Sequence, residues 1–240
     1  MKVELVVALI AGVVALLSAG GTIWSARQIE RLKSVEQRRR EISRYSEPLA
    51  RAAYDLQSRI FNILNKGLIE TYLIHGDERE RIYVKENTTF LVAQYLCWVE
   101  LVRREIQFID LEERKKTRKL LRLQDNISSV WGSDRHPALL RIFAGEQRAI
   151  GEALIVVRTR GAECMGYGEF LKAFSEGTHP LIDAVRADVE RLGNSAESAR
   201  SRLIEVQRLT TDLLDILDRD HLRFPLESRS KVSELPLPAA

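Results

Sequence analysis

The hydrophobic pattern divides the chain into one uniformly apolar N-terminal segment and a series of amphipathic segments after it. Leu5–Trp24 contains 20 consecutive residues without a charge, and ten of them are Leu, Ile or Val. As a helix rising about 1.5 Å per residue, this segment would be about 30 Å long, which matches the hydrocarbon core of a bilayer. The segment therefore predicts a single transmembrane helix.

A cleaved signal peptide is the alternative, and Ser18-Ala19-Gly20 loosely resembles a cleavage site. Signal peptides, however, carry their positive charge before the apolar run. Here the charge follows the run, with seven Arg or Lys against three Glu between Arg27 and Arg44. This order favours an anchor in the bacterial inner membrane. The positive-inside rule then places residues 1–4 outside the cell and the domain after the span in the cytoplasm.

The N-terminal region also suggests what it contacts. Residues 25–47 predict a basic helical stalk that contacts anionic lipid, although a merely solvated stalk would explain the same charges. The basic residues concerned are Arg27, Arg31, Lys33, Arg38, Arg39 and Arg40. Small residues on one face of the span would allow a second helix to approach, unless they are simply common in membrane helices. That face contains Ala8, Ala11, Gly12, Ala15 and Ala19.

Residues 48–224 show helical periodicity and no convincing period-two alternation, which predicts an all-α domain arranged as a helical bundle. A loop is expected over residues 161–168, and a disordered tail over residues 225–240. The predicted helices cover residues 48–74, 78–109, 112–131, 138–157, 169–175, 180–193 and 196–220.

Charge and cysteine content exclude several classes of function. The net charge is +3, but residues 27–44 alone contribute +4, so the domain is close to neutral. A neutral domain disfavours nucleic-acid binding. Cys97 and Cys164 are too few for a disulfide framework or a zinc site, and they suit a reducing compartment. We expect no metal and no cofactor.

Several charged residues interrupt apolar helix faces and predict a buried polar cluster. An internal salt-bridge network is one interpretation, because buried charges need partners. A pocket that binds an anionic ligand through Arg103 and Arg104 is a second, and a carboxylate-based catalytic or metal site is a third. The cluster contains Glu70, Glu100, Arg103, Arg104, Glu105, Glu146 and Arg148.

Four short segments carry a resemblance to a known family: residues 52–59, residues 93–95 with Trp98, residues 103–109 and residues 145–152. They resemble a bacterial family of uncharacterised, membrane-anchored helical proteins, over roughly residues 45–160. The resemblance implies a bacterial origin. It implies no activity and no catalytic residues.

These patterns together predict a membrane-tethered helical interaction or regulatory module without catalytic activity. Its expected partners are the lipid bilayer and either another protein or a second copy of itself. One alternative is an oligomerising membrane effector, for example in defence against phage. Another is a cryptic enzyme that uses the Glu and Arg residues of the buried cluster.

Overall fold

The computed structural model describes residues 28, 30, 32, 33, 36, 44–105, 114–159, 161–175, 177–218 and 220–233. The chain separates into two compact units, Met1–Arg44 and Tyr45–Ala240. In the first unit, the described residues before Arg44 are helical and exposed, and Lys33 is among them. No helix among the described residues is long and apolar enough to cross a membrane. The predicted span, its small-residue face and the other predicted lipid-contacting residues lie outside the described part of the chain.

The second unit is built mainly from α-helices, which confirms the all-α prediction. Few Gly or Pro interrupt these segments, and their apolar residues recur at helical spacing. The helices are α1 (residues 45–65), α2 (Glu78–Glu105), α3 (Arg114–Gly132), α4 (Ala144–Ala153), α5 (Tyr167–Ala173) and α6 (Pro180–Leu217).

The central element is α2, which packs against α4, α5 and α6. It buries Tyr95, Cys97 and Leu101, while α4 contributes Ile150 to the same core. Gly151 allows α4 to approach α2 closely, because a Cβ atom there would lie 2.7 Å from the Leu96 carbonyl oxygen. The α2–α4 spacing therefore depends on the absence of a side chain at residue 151.

The connection between α1 and α2 contains a π-helical segment, Ile69–Ile74. Gly67 precedes it with a φ of +64°, a left-handed conformation that glycine adopts at low cost. The sequence extends the first helix to residue 74, whereas α1 ends at residue 65. The predicted start of the next helix at Glu78 is confirmed.

The predicted helix over residues 138–157 is wrong at both ends. Leu140 has a φ of +59°, and α4 begins only at Ala144. At the other end the chain forms an antiparallel hairpin of β1 (Ile155–Arg158) and β2 (Gly161–Cys164). The predicted loop over residues 161–168 therefore contains a strand. The β-branched run that opens β1 has higher strand than helix propensity, which favours this outcome.

The last long helix and the tail also differ from the prediction. Residues 180–217 form one element, but its backbone is non-helical at Ser195, where the sequence predicts a boundary between two helices. The tail folds back through residue 233 instead of being disordered from residue 225. It contains a short 3-10 helix, Leu226–Ser228, and it buries Arg229 and Val232.

Candidate functional site

The structure brings three residues of the predicted polar cluster together on α2. Glu100 is only 3% exposed, and its carboxylate accepts hydrogen bonds from Arg103 Nε at 2.7 Å and Arg103 Nη2 at 2.6 Å. Arg104 Nε donates to the same carboxylate at 2.6 Å. Burial alone would raise the pKa of Glu100, but the hydrogen bonds and charges of the two arginines hold it below the usual value.

This cluster also joins α2 to α4, because Arg104 Nη2 pairs with Glu152. The two arginines balance the two carboxylates, so the four side chains carry no net charge. Each arginine has at least two-fifths of its side chain exposed, and each is already paired with Glu100. The arrangement links helices more readily than it receives an external anion.

The other members of the predicted cluster lie elsewhere. Glu70 is exposed on the π-helical segment and pairs with His75 at 2.8 Å. Glu146 does not face the core: it accepts a hydrogen bond from the Phe143 backbone N–H at 2.8 Å and caps α4. Arg148 is exposed, and the Glu105 side chain lies outside the described part of the chain.

The error at Glu146 follows from the helix boundary. Since α4 starts at Ala144, Glu146 falls in its first turn, where a carboxylate meets free backbone N–H groups. The buried polar residue of this helix is Gln147, whose Nε2 donates to the carbonyl oxygens of Ser128 at 3.0 Å and Ile142 at 2.7 Å.

Sequence analysis missed several buried arginines. Arg202 on α6 is fully buried and donates to the carbonyl oxygens of four residues at the end of α3 and in the loop after it. These acceptors belong to Val130, Trp131, Ser133 and Pro137. Burial lowers the pKa of Arg202. Its role is to close the end of α3, where backbone carbonyls lack helical partners.

Arg186 is the second buried arginine of α6. It forms a two-pronged pair with Glu86 of α2, at 2.8 and 3.0 Å. It also pairs with Asp183 and donates to the Phe174 carbonyl oxygen at 2.7 Å. Its position on the apolar face of α6, four residues after buried Ile182, is the sequence signal that could have identified it.

The structure also contains a pocket between α1, the π-helical segment and the start of α2. We name it the Arg59 pocket. It encloses about 400 Å³, a volume typical of small-molecule sites. Its lining contains two arginines and two tyrosines. The lining residues are Arg59, Asn62, Leu68, Tyr72, Arg79, Glu80, Tyr83 and Val84.

Arg59 is hydrogen-bonded through one of its two terminal nitrogens. Its Nη2 donates to Tyr83 Oη at 3.1 Å and to Asn87 Oδ1, and its guanidinium lies over the Tyr83 ring. Arg59 is 7% exposed, and its buried Nη1 has no hydrogen-bond partner among the described residues. A buried guanidinium nitrogen without an acceptor is costly, so this atom calls for an explanation.

The start of α2 fixes the remaining wall of the pocket. Asp77 Oδ1 accepts from the Glu80 backbone N–H at 2.8 Å, and Glu80 Oε2 accepts from the Asp77 N–H at 3.0 Å. This reciprocal pair is a capping box. It commits the Glu80 carboxylate to the backbone and places Arg79 and Tyr83 in the first turns of the helix.

The two cysteines, 67 residues apart in sequence, meet where β2 packs against α2. Cys97 is buried and Cys164 is half-buried, and both are free thiols. A hydrogen bond with the Cys164 thiol, together with burial, raises the pKa of Cys97. A thiol that stays protonated is a poor nucleophile, so Cys97 does not suit a catalytic role.

Among the described residues, no group of three or more His, Cys, Asp or Glu side chains could hold a metal ion. No family model, curated protein or solved structure compared with this chain matches it. The resemblance over residues 45–160 therefore stays a prediction.

Proposed function

We propose that this protein is a membrane-tethered helical module that recognises a partner and has no catalytic activity of its own. The observation that carries the proposal is the order of the N-terminal sequence, in which a long uncharged segment is followed by a basic run that begins at Arg27. This order is typical of an inner-membrane anchor with a cytoplasmic domain. The near-neutral charge of the domain supports a partner other than nucleic acid.

The buried polar cluster supports a structural role more than an enzymatic one. The Glu100 carboxylate accepts hydrogen bonds from both Arg103 and Arg104, and these charges hold its pKa down. A general acid needs a carboxyl group whose pKa is raised towards neutrality. The shift at Glu100 has the opposite sign.

An oligomerising membrane effector is the second candidate function. It is favoured by the small residues on one face of the predicted span, which permit close helix contact. These residues are Ala8, Ala11, Gly12, Ala15 and Ala19.

Crosslinking of the full-length protein in native membranes, followed by mass spectrometry, separates the two candidates. The matched variant carries Gly12→Leu and Ala15→Leu, which enlarge the small-residue face and keep the segment apolar. A defined foreign partner that persists in this variant is the result expected of a tethered module. Crosslinks between copies of the chain that disappear in the variant would instead support the effector. Absence of both kinds of crosslink would contradict both candidates.

A further inference from the structure

We propose that the Arg59 pocket binds the phosphate group of a small phosphate monoester that carries an aromatic ring. This inference goes beyond the proposed tethering function, because it depends on the geometry of the pocket and not on the membrane anchor. It is carried by a buried arginine whose Nη1 has no partner among the described residues, a second arginine in the same lining and two exposed tyrosines.

The unpartnered Nη1 of Arg59 defines the chemistry of the ligand. Its Nη2 is already used by Tyr83 and Asn87, while Nη1 has no acceptor among the described residues. Arginine has donors only, so the missing partner must be an acceptor. A charged oxygen acceptor compensates a buried guanidinium better than a neutral one, since charge-assisted hydrogen bonds are about twice as strong.

The two guanidinium groups of the lining favour a phosphate, which has more acceptor oxygens than a carboxylate. Arg59 and Arg79 contribute two positive charges, and Glu80 contributes one negative charge that is held by the Asp77 backbone N–H. A phosphate monoester carries a charge of about −1.5 to −2 at pH 7, with three acceptor oxygens. It can therefore meet both arginines at once, whereas a carboxylate has half the charge and fewer acceptors.

The size and the aromatic side chains of the pocket favour a ring on the ligand. A volume of about 400 Å³ is larger than a bare phosphate requires. The Tyr83 ring already lies against the Arg59 guanidinium, and Tyr72 in the same lining is 44% exposed. A planar ring can stack against an exposed tyrosine, a contact worth about 0.5–1.5 kcal/mol for aromatic pairs.

The test is calorimetric titration of the full-length protein in mild detergent with phenyl phosphate, inorganic phosphate and benzoate. The proposal expects phenyl phosphate to bind with a dissociation constant of about 1 mM or lower. Inorganic phosphate, which lacks the ring, and benzoate, which lacks the phosphate, should each bind at least about tenfold more weakly.

Arg79→Glu is the main variant, because Arg79 is exposed and its replacement leaves the core intact. Arg148→Glu makes the same charge change at an exposed residue of α4, outside the pocket lining, and serves as the matched control. We expect Arg79→Glu to weaken phenyl phosphate binding by about tenfold or more and Arg148→Glu to leave it unchanged. Arg59→Lys should also weaken binding, because lysine keeps the charge but loses the guanidinium edge.

Three results would overturn the proposal. In the first, phenyl phosphate does not bind the wild-type protein. In the second, the Arg79→Glu and wild-type proteins bind phenyl phosphate equally. In the third, benzoate binds the wild-type protein as tightly as phenyl phosphate does. If Arg59→Lys fails to fold in a thermal melt, Arg79→Glu and the three ligands still decide the question. Because the titration uses purified protein, its outcome is independent of any partner found by crosslinking.

Discussion

At the scale of single residues, the described part of the chain contains four buried arginines: Arg59, Arg186, Arg202 and Arg229. Burying a charge costs several kcal/mol unless it is paired, and the protein pairs these residues in different ways. Arg186 and Arg229 meet carboxylates, whereas Arg202 meets backbone carbonyl oxygens. Arg59, Arg202 and Arg229 each keep one buried nitrogen without a partner among the described residues, and Arg59 is the one of these three in the lining of the Arg59 pocket.

The sequence identifies interacting pairs of residues when the two residues lie close together in the chain. Glu100 and Arg104 are four residues apart on one helix, a spacing that predicts their ion pair directly. The exposure of Glu70 and the capping role of Glu146 were missed because each depends on where a helix begins or changes its pitch. Arg59 was missed because its surroundings come from α1, the π-helical segment and α2 together.

We predict that Glu100→Gln lowers the free energy of unfolding at neutral pH by about 1–2 kcal/mol, since two arginines lose their charged acceptor. The pKa of Glu100 is lowered in the folded protein, so its stabilising contribution is complete above the ordinary carboxyl pKa. The contribution falls as the pH drops below that value and is absent below the folded pKa.

Urea denaturation of both proteins at pH 7 and at about pH 3 measures this difference. The stability gap between wild type and Glu100→Gln should narrow at the lower pH. Glu70→Gln, at an exposed position, should show almost no gap at either pH. A gap for Glu100→Gln that stays constant with pH would contradict the assigned pKa shift.

At the scale of elements, the sequence predicts long helices better than short pieces. The start of α2 at Glu78 and the irregularity at Ser195 follow from capping and turn residues. The hairpin was missed because β1 and β2 have four residues each, too few to show an alternating pattern. The non-helical segment before α4 was missed because Leu140 adopts a positive φ, a conformation that a leucine in the sequence does not predict.

We predict that Gly151→Ala destabilises the protein by about 1–3 kcal/mol, because the new methyl group would meet the Leu96 carbonyl oxygen and push α4 from α2. Gly145→Ala is the matched control in the same helix, where a Cβ atom would meet nothing within 4 Å. It should leave stability unchanged or raise it by up to about 1 kcal/mol through helix propensity. Thermal denaturation of the two variants checks this, and equal effects would refute the close α2–α4 packing.

We also predict that oxidation with copper phenanthroline links Cys97 to Cys164 faster as the pH is raised, because β2 packs against α2 while the Cys164 hydrogen bond and burial raise the pKa of Cys97. The product would be two hydrogen atoms lighter than the reduced chain, and a peptide map would contain the linked pair. Cys164→Ser should abolish the mass change. A wild-type protein that stays fully reduced even at alkaline pH would show that the hairpin does not hold the two thiols together.

At the scale of the whole molecule, charge is distributed unequally along the chain. Residues 27–44 contribute +4 to a total of +3, so the remaining chain is close to neutral. Such a local excess next to an uncharged segment orients membrane proteins. The proposed location therefore depends on the N-terminal sequence, while the proposed ligand site belongs to the helical unit Tyr45–Ala240.

The packing of the tail is the feature of the whole molecule that the sequence pattern predicts least well. Gln207 Nε2 donates to the Ser230 carbonyl oxygen at 2.9 Å, and the Val232 N–H donates to Gln207 Oε1 at 3.0 Å. Gln57 Nε2 donates to the Ser228 carbonyl oxygen at 3.1 Å. These contacts join α1, α6 and the tail across up to 171 residues, so local periodicity could not predict them.

The most direct test of the central claim is the membrane topology of the full-length protein with a C-terminal epitope tag. Protease would be added to intact spheroplasts and, separately, to inverted membrane vesicles that have been washed with sodium carbonate. An anchored cytoplasmic domain predicts that the tag stays with the washed vesicles, is protected in spheroplasts and is cleaved in inverted vesicles. Release of the protein by carbonate, or cleavage of the tag in intact spheroplasts, would contradict the account.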